Sequence, residues 1–332
     1  MRVLKTVLVL GILVVLVVGF FVGVPYGPHT ETCVEIAPGT GTAGIAKALE
    51  KAGIVRNAVA FDGWAAWKSV SGNGAGTLKA GEYRFDHPVK MEEVYDRLRR
   101  GDVYTVTVVV PEGFNIFDIA GAVAAAGIDT REDFLKAEQQ HTELIAEWTP
   151  GVRAISVEGY LFPDTYKFSR HATAVQMLTA MVKRFGQEVA RLGIRTGDVQ
   201  RTVTMASLVE KEVHLDAERP EVASVFSNRL AAGMPLQTDP AVIYASMLRG
   251  TWGGLIHQSE LKSDSAYNTY VHAGLPPGPI CNPGVAALKA ALHPANTDYL
   301  YFVASAQGST RFAATLAEHN ANVAAYRTGT KP

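Results

Sequence analysis

Charge is scarce in this chain, and the two signs cancel. Only 19% of its 332 residues are charged, and 31 Lys and Arg stand against 32 Asp and Glu, for a formal net charge of -1. No basic stripe breaks that balance, which excludes the electrostatic footprint of a nucleic-acid-binding protein. Cysteine is nearly absent, with Cys33 and Cys281 the only two. Two thiols so far apart define no disulfide by themselves, and a pair of non-catalytic thiols is the default. Cys33 follows Thr30-Glu31-Thr32, which lacks the small-residue pattern of a lipoprotein cleavage site. There is no H-E-x-x-H. The alternating Glu210, Glu212, His214, Asp216 and Glu218 scatter around a helix instead of converging, so no metal or cofactor is expected.

One long apolar run is present. Val7 to Val24 is eighteen residues without a charged or polar side chain, close to the length that crosses a bilayer. Arg2 and Lys5 precede it, which predicts a cytoplasmic tail over residues 1–6 and an extracytoplasmic location for everything after Val24. The exit, Val24-Pro25-Tyr26-Gly27-Pro28, has no A-x-A-like site. The expectation is an uncleaved single-pass anchor over 7–24 in the inner membrane.

A repeat follows. Val34-Glu35-Ile36, Pro38-Gly39 and an apolar-periodic stretch ending Ala52-Gly53-Ile54 are echoed by Val108-Val109-Val110, Pro111-Glu112-Gly113 and a stretch ending Ala126-Gly127-Ile128. Each copy reads as strand, turn, then amphipathic helix closed by glycine. A strand over 78–85 and a helix over 91–100 complete a βα module at 32–103, and a second β-α piece occupies 104–150. From 151 the texture changes. Residues 158–166 read as an aromatic loop, helices as 172–192, 199–214 and 220–232, residues 234–284 as irregular, 299–304 as a strand before a turn at Gln307-Gly308-Ser309, and 314–327 as a closing helix. A loop region this long in a compact domain is usually functional or disordered, and its aromatic and Asn content argues against disorder.

The stretch 203–214 carries the sharpest chemical signal. Projected at about 100° per residue, Met205, Leu208, Val209 and Val213 share one side, and Thr204, Ser207, Lys211 and His214 the other. Glu212 falls between Leu208 and Met205, inside the apolar sector, whereas Glu210 lies at its border with the polar face. A glutamate among apolar side chains loses hydration of its charged form, so its pKa rises towards neutrality, the state a general acid needs. A misplaced charge satisfied by a local partner would produce the same pattern. Further on, Gln237-Thr238-Asp239-Pro240, Tyr267-Asn268-Thr269-Tyr270 and Gly274-Leu275-Pro276-Pro277-Gly278 bring amides, hydroxyls and rings together with few charges. That chemistry suits a sugar; caps and stiffened turns would use the same residues.

These segments resemble a known family. Glu158-Gly-Tyr-Leu-Phe-Pro-Asp-Thr-Tyr166, Ala206-Ser-Leu-Val-Glu-Lys-Glu212, Val222-Ala-Ser-Val-Phe with Asn228-Arg229-Leu230, Leu236-Gln-Thr-Asp-Pro240 and Tyr267-Asn-Thr-Tyr270 are similar, in order, to the endolytic murein transglycosylase (YceG-like) family. The resemblance implies an α+β protein with an N-terminal transmembrane helix, a LysM-like module and a lysozyme-like, mainly helical catalytic domain at 151–332. It implies an inner-membrane enzyme that cuts the MurNAc–GlcNAc bond of nascent peptidoglycan strands, leaves 1,6-anhydro-MurNAc ends and so terminates elongation, with peptidoglycan synthases as possible partners. Glu212 corresponds to the catalytic glutamate, where the helical projection had also led. Many relatives carry Thr directly after it and this chain has Val213, which puts in doubt a neighbouring hydroxyl contact but not the acid. Asn228, Gln237, Thr238, Asp239, Tyr267, Asn268 and Tyr270 are the expected substrate-binding residues, with Tyr267 orienting Glu212. Two other readings stay open: a non-catalytic peptidoglycan-binding scaffold, and a hydrolytic muramidase with Asp239 as second carboxylate.

Overall fold

The computed structural model describes residues 2–71, 76–151, 154–213, 215–305 and 308–328. His214 and Gln307, both named above, lie outside the described residues. The Cα framework divides into two units, Met1–Val106 and Thr107–Pro332. In the first, helix α1 (Arg2–Gly23) precedes strand β1 (Thr32–Ile36), helices α2 (Thr42–Lys51) and α3 (Ala58–Val70), strand β2 (Gly81–Phe85) and helix α4 (Met91–Arg100). β1 and β2 pair antiparallel, with Thr32 opposite Phe85 and Ile36 opposite Gly81. Val34, Ile36, Tyr83 and Phe85 turn one face of this ribbon onto Leu49, Phe61, Val94 and Leu98 to form the core. The limits of α4 follow from its sequence. Glu92 and Glu93 face the positive end of the helix dipole, Arg97, Arg99 and Arg100 the negative end, and Gly101 stops it in a left-handed conformation, φ 78°.

The expected membrane anchor is overturned: among the described residues no helix is long and apolar enough to cross a membrane. All of the run but Val24 does fold into α1, but its last turn is committed to protein. Phe21 and Val22 pack on the core of the first unit, and the Arg56 guanidinium lies 4.7 Å over the Phe20 ring. A span needs about 20 apolar residues facing lipid, and eighteen less a turn fall short. The single-pass inner-membrane location and the topology read from Arg2 and Lys5 rested on that span and fall with it.

The second unit contains all but the first residue of β3 (Val106–Val110), then α5 (Ile116–Ala125), α6 (Arg131–Gln140), β4 (Asp164–Phe168), α7 (Ala174–Leu192), α8 (Val199–Glu212), α9 (Arg219–Ala231), α10 (Asp239–Leu248), the single turn α11 (Gln258–Leu261), α12 (Val285–Leu292), β5 (Tyr301–Ala304), β6 (Thr310–Ala313) and α13 (Leu316–Thr328). Among the described residues its strands form two two-stranded sheets, β3 with β4 and β5 with β6, so the chain is α+β. Residues 107–150 do not enclose a core of their own. Val108, Ile119, Val123, Phe134 and Trp148 share one with Tyr160, Met181, Phe185, Val203 and Leu288. Helix ends follow local chemistry again, as Thr173 and Gln176 form a capping box on α7 and Gly193 closes it at φ 66°.

α8 is a central helix. Thr204 and Ser207, on its expected polar side, are buried. The Ser207 hydroxyl donates to the Thr204 carbonyl and accepts from the Ile280 amide at 3.1 Å, while the Cys281 thiol donates to the Ser207 carbonyl. Residues 234–284 are less irregular than expected, since α10 lies among them. Its start is written in the sequence: Thr238 is the N-cap and Pro240 occupies the first turn, where a missing N–H costs nothing.

Candidate active site

Glu212 is the last residue of α8, and Val213 leaves the helix in an extended conformation. The negative end of a helix dipole is a poor place for a carboxylate. Glu212 lines a cleft of about 310 Å³ together with Arg229, Leu236, Gln237, Asp239, Tyr270, Phe302 and His319. The walls thus come from α8, α9, the turn entering α10, the 270 segment, β5 and α13. Burial, and then the charge of Asp239, push the Glu212 carboxyl up to about 7 against a smaller opposing pull from Arg229.

The other expected site residues separate into two groups. Gln237, Asp239 and Tyr270 line the cleft with Glu212. The Tyr270 hydroxyl donates to Asp239 Oδ1 at 2.7 Å, an arrangement that holds Asp239 in place and, after burial, helps raise the Tyr270 hydroxyl pKa. Gln237 has φ 56°, the left-handed region in a residue other than glycine. Such strain persists only where neighbours enforce it. Here the Gln237 amide donates to the Thr269 carbonyl at 3.0 Å, and its Oε1 accepts from Arg229 Nη1 at 3.3 Å.

Asn228, Thr238, Asn268 and Tyr267 are not among the residues lining this cleft. Asn228 donates to the Thr297 and Tyr299 carbonyls at 2.9 and 3.0 Å, fastening the approach to β5. Thr238 is buried, and its amide donates to the Thr269 hydroxyl at 2.9 Å. Asn268 is fully buried; its amide donates to the Glu260, Leu261 and Ser263 carbonyls, and its Oδ1 accepts from the Tyr270 amide at 3.0 Å. It shapes the loop that carries Tyr270. Tyr267 lines a second pocket with Glu158, Tyr160, Gln200, Pro277 and Pro279, and packs edge-on to Tyr244 at 5.2 Å. Glu210 plays a structural part. It pairs with Arg219 Nη1 at 2.9 Å, both side chains nearly inaccessible, and accepts from the Gly284 amide at 2.9 Å.

Arg229 was missed by the sequence reading although the signal was there. With Val222, Val225 and Phe226 it falls on the buried stripe of α9, the same pattern of a charge on an apolar face that singled out Glu212. Phe302 and His319 belong to β5 and α13, and no local pattern ties them to Glu212. Burial and the Arg229 charge lower the His319 pKa, so its ring is neutral near pH 7.

A carboxyl that keeps its proton near neutrality, in a polar cleft beside a fixed guanidinium on an α+β scaffold, is the arrangement that acid–base chemistry requires. Comparison with known proteins makes this particular. The YceG-like family matches residues 34–325. An endolytic murein transglycosylase of Bacillus subtilis (strain 168) is 35% identical over 309 residues, covering 88% of this chain and 83% of the relative. One from Streptococcus pneumoniae serotype 2 (strain D39) is 31% identical over 321 residues, covering 88% of this chain and 57% of the relative. A crystal structure of a YceG-like protein from Listeria monocytogenes superposes with a TM-score of 0.58 at 33% identity, covering 89% of this chain and 99% of that one. The chain belongs to the YceG-like family.

Proposed function

We infer that this chain is an endolytic peptidoglycan transglycosylase and that Glu212 is its acid and base in turn. The observation that carries the role is the position of Glu212: a carboxyl driven by burial to about 7, in a cleft with an amide, a phenol and a second carboxylate already engaged by that phenol. Protonated Glu212 donates to the oxygen joining C1 of MurNAc to GlcNAc, and the C1–O bond breaks. The oxocarbenium-like centre is stabilised by the N-acetyl group of the same sugar. Glu212, now a carboxylate, removes the proton of the C6 hydroxyl, whose oxygen closes on C1 as 1,6-anhydro-MurNAc. One carboxyl gives a proton and recovers one, so the cycle needs neither metal nor cofactor. Gln237 and Tyr270 are the sugar-contacting residues in this reading, with the enzymes that make nascent strands as the partner class. The strand–helix–helix–strand arrangement of the first unit agrees with its assignment as a LysM-like module.

Asp239 favours a second reading. It shares the cleft with Glu212 and raises its pKa, so it could position water for hydrolysis through a two-carboxylate mechanism. Mass spectrometry of murein digests decides between them. Anhydro ends from the wild type, and none from Glu212→Gln, support the transglycosylase; reducing MurNAc ends would replace it with the muramidase. Murein bound but left uncut by both the wild type and folded Glu212→Gln would leave a binding scaffold.

A further inference from the structure

We propose that Arg229 is a specificity determinant of the cleft, reading the acyl oxygen that distinguishes a muramoyl sugar from N-acetylglucosamine; the proposal rests on the glycan-cleaving function above. Arg229 is 8% exposed, and its guanidinium is locked. Nε donates to the Leu300 carbonyl at 2.7 Å. Nη1 donates to the Pro235 and Leu236 carbonyls at 3.2 and 3.0 Å and to Gln237 Oε1 at 3.3 Å. The plane lies 5.2 Å over the Tyr301 ring. A brace between α9, β5 and the 235–237 turn accounts for Nε and Nη1. It makes no use of Nη2, which has no partner among the described residues although Arg229 lines the cleft.

The neighbouring carboxyls do not claim that donor. Glu212 and Asp239 share the cleft, yet neither forms an ion pair with Arg229 among the described residues, and Asp239 is engaged by Tyr270. A desolvated, immobilised guanidinium with one free N–H edge matches a carbonyl or carboxylate oxygen far better than a hydroxyl. Both sugars of the strand carry hydroxyls and an acetamide. Only the muramoyl sugar adds a 3-O-lactyl group, whose acyl oxygen is a carboxylate when free and an amide carbonyl when a stem peptide is attached. Nη2 is placed to take that oxygen while Glu212 faces the glycosidic bond.

The test measures binding in a Glu212→Gln background, which keeps ligands intact. The ligands are chitotetraose and the GlcNAc–MurNAc tetrasaccharide with and without stem peptide, and calorimetry compares Arg229 with Arg229→Gln and Arg229→Lys. A charge-assisted hydrogen bond corresponds to a loss in muramoyl affinity for Arg229→Gln that is roughly tenfold to hundredfold greater than the loss in chitotetraose affinity from removing the brace, with Lys intermediate. The peptide-free ligand loses more if the carboxylate is the partner, and the two lose equally if the amide carbonyl is. Equal losses for muramoyl and chitin ligands would reduce Arg229 to a brace and overturn the proposal. Where Arg229→Gln does not fold, the ligand carries the comparison: with Arg229 intact, a tetrasaccharide whose lactyl acyl group is reduced to the alcohol should bind as weakly as chitotetraose, and undiminished binding refutes the role. Wild-type protein that leaves murein uncut defeats the parent reading instead, a separate measurement.

Discussion

Replacing Glu212 by glutamine should remove activity and add stability, and the two effects share one cause. The carboxyl moves from 4.5 to about 7 on folding, so the folded chain holds a proton that the unfolded chain releases. The stabilising effect of that proton is complete below about pH 4.5, declines as pH rises, and is gone above about 7. At its fullest the change corresponds to about 3 kcal/mol, and water in the half-open cleft trims the expected value to about 1–3 kcal/mol. Glutamine imitates the protonated carboxyl at every pH. Urea unfolding of both proteins should therefore give nearly coincident stabilities at pH 4.5 and a gap in favour of Glu212→Gln that opens towards pH 8, while strand cleavage drops by about 10²–10⁴-fold. A pH-independent gap, or wild type the more stable at pH 8, would mean that Glu212 ionises like an exposed glutamate and would remove the physical basis of its role.

The same ionisation sets the rate profile: kcat/KM on murein should fall about tenfold per pH unit above about 7, because only the protonated carboxyl can donate, and a profile flat to pH 9 contradicts this. Arg219→Leu should destabilise by about 3–5 kcal/mol in urea, since Glu210 would keep its burial and lose its cation; a loss below 1 kcal/mol would show that the Gly284 amide alone suffices. Gly159→Ala should cost about 2–4 kcal/mol. Gly159 has φ +88°, and an added Cβ would stand 2.4 Å from the Pro279 ring and 2.9 Å from Val203, so wild-type thermal stability in this variant would refute the packing argument.

Local signals carried a good deal of this fold into view. Periodicity marked α7, α8 and α9, charge placement and Gly101 bounded α4, and a glutamate on an apolar stripe pointed to Glu212. The failures share a cause too. The polar face expected on α8 is covered by residues 280–284, so Thr204 and Ser207 serve as internal hydrogen-bonding groups, a fact invisible to a two-sided projection. The repeat is real locally, and its halves are put to different use: β1 pairs with β2 in the first unit, whereas β3 pairs with β4, and the turn after β3 docks through the Gly113 amide on the Asn282 carbonyl. The apolar run at the start promised a membrane span by length alone, and its last turn packs on protein.

By itself the sequence determined which charges stand on apolar stripes, Glu212 and Arg229 among them, because helical periodicity fixes the face each residue occupies and burying a charge has a physical consequence whatever surrounds it. Tertiary structure decided the division of labour among the polar motifs. Asn228, Thr238 and Asn268 look as able to bind sugar as Gln237 and Tyr270, but buried carbonyls and amides need partners, and these three residues are used up satisfying them. Only packing α13 and β5 against α8 and α9 showed what remained free to face a ligand.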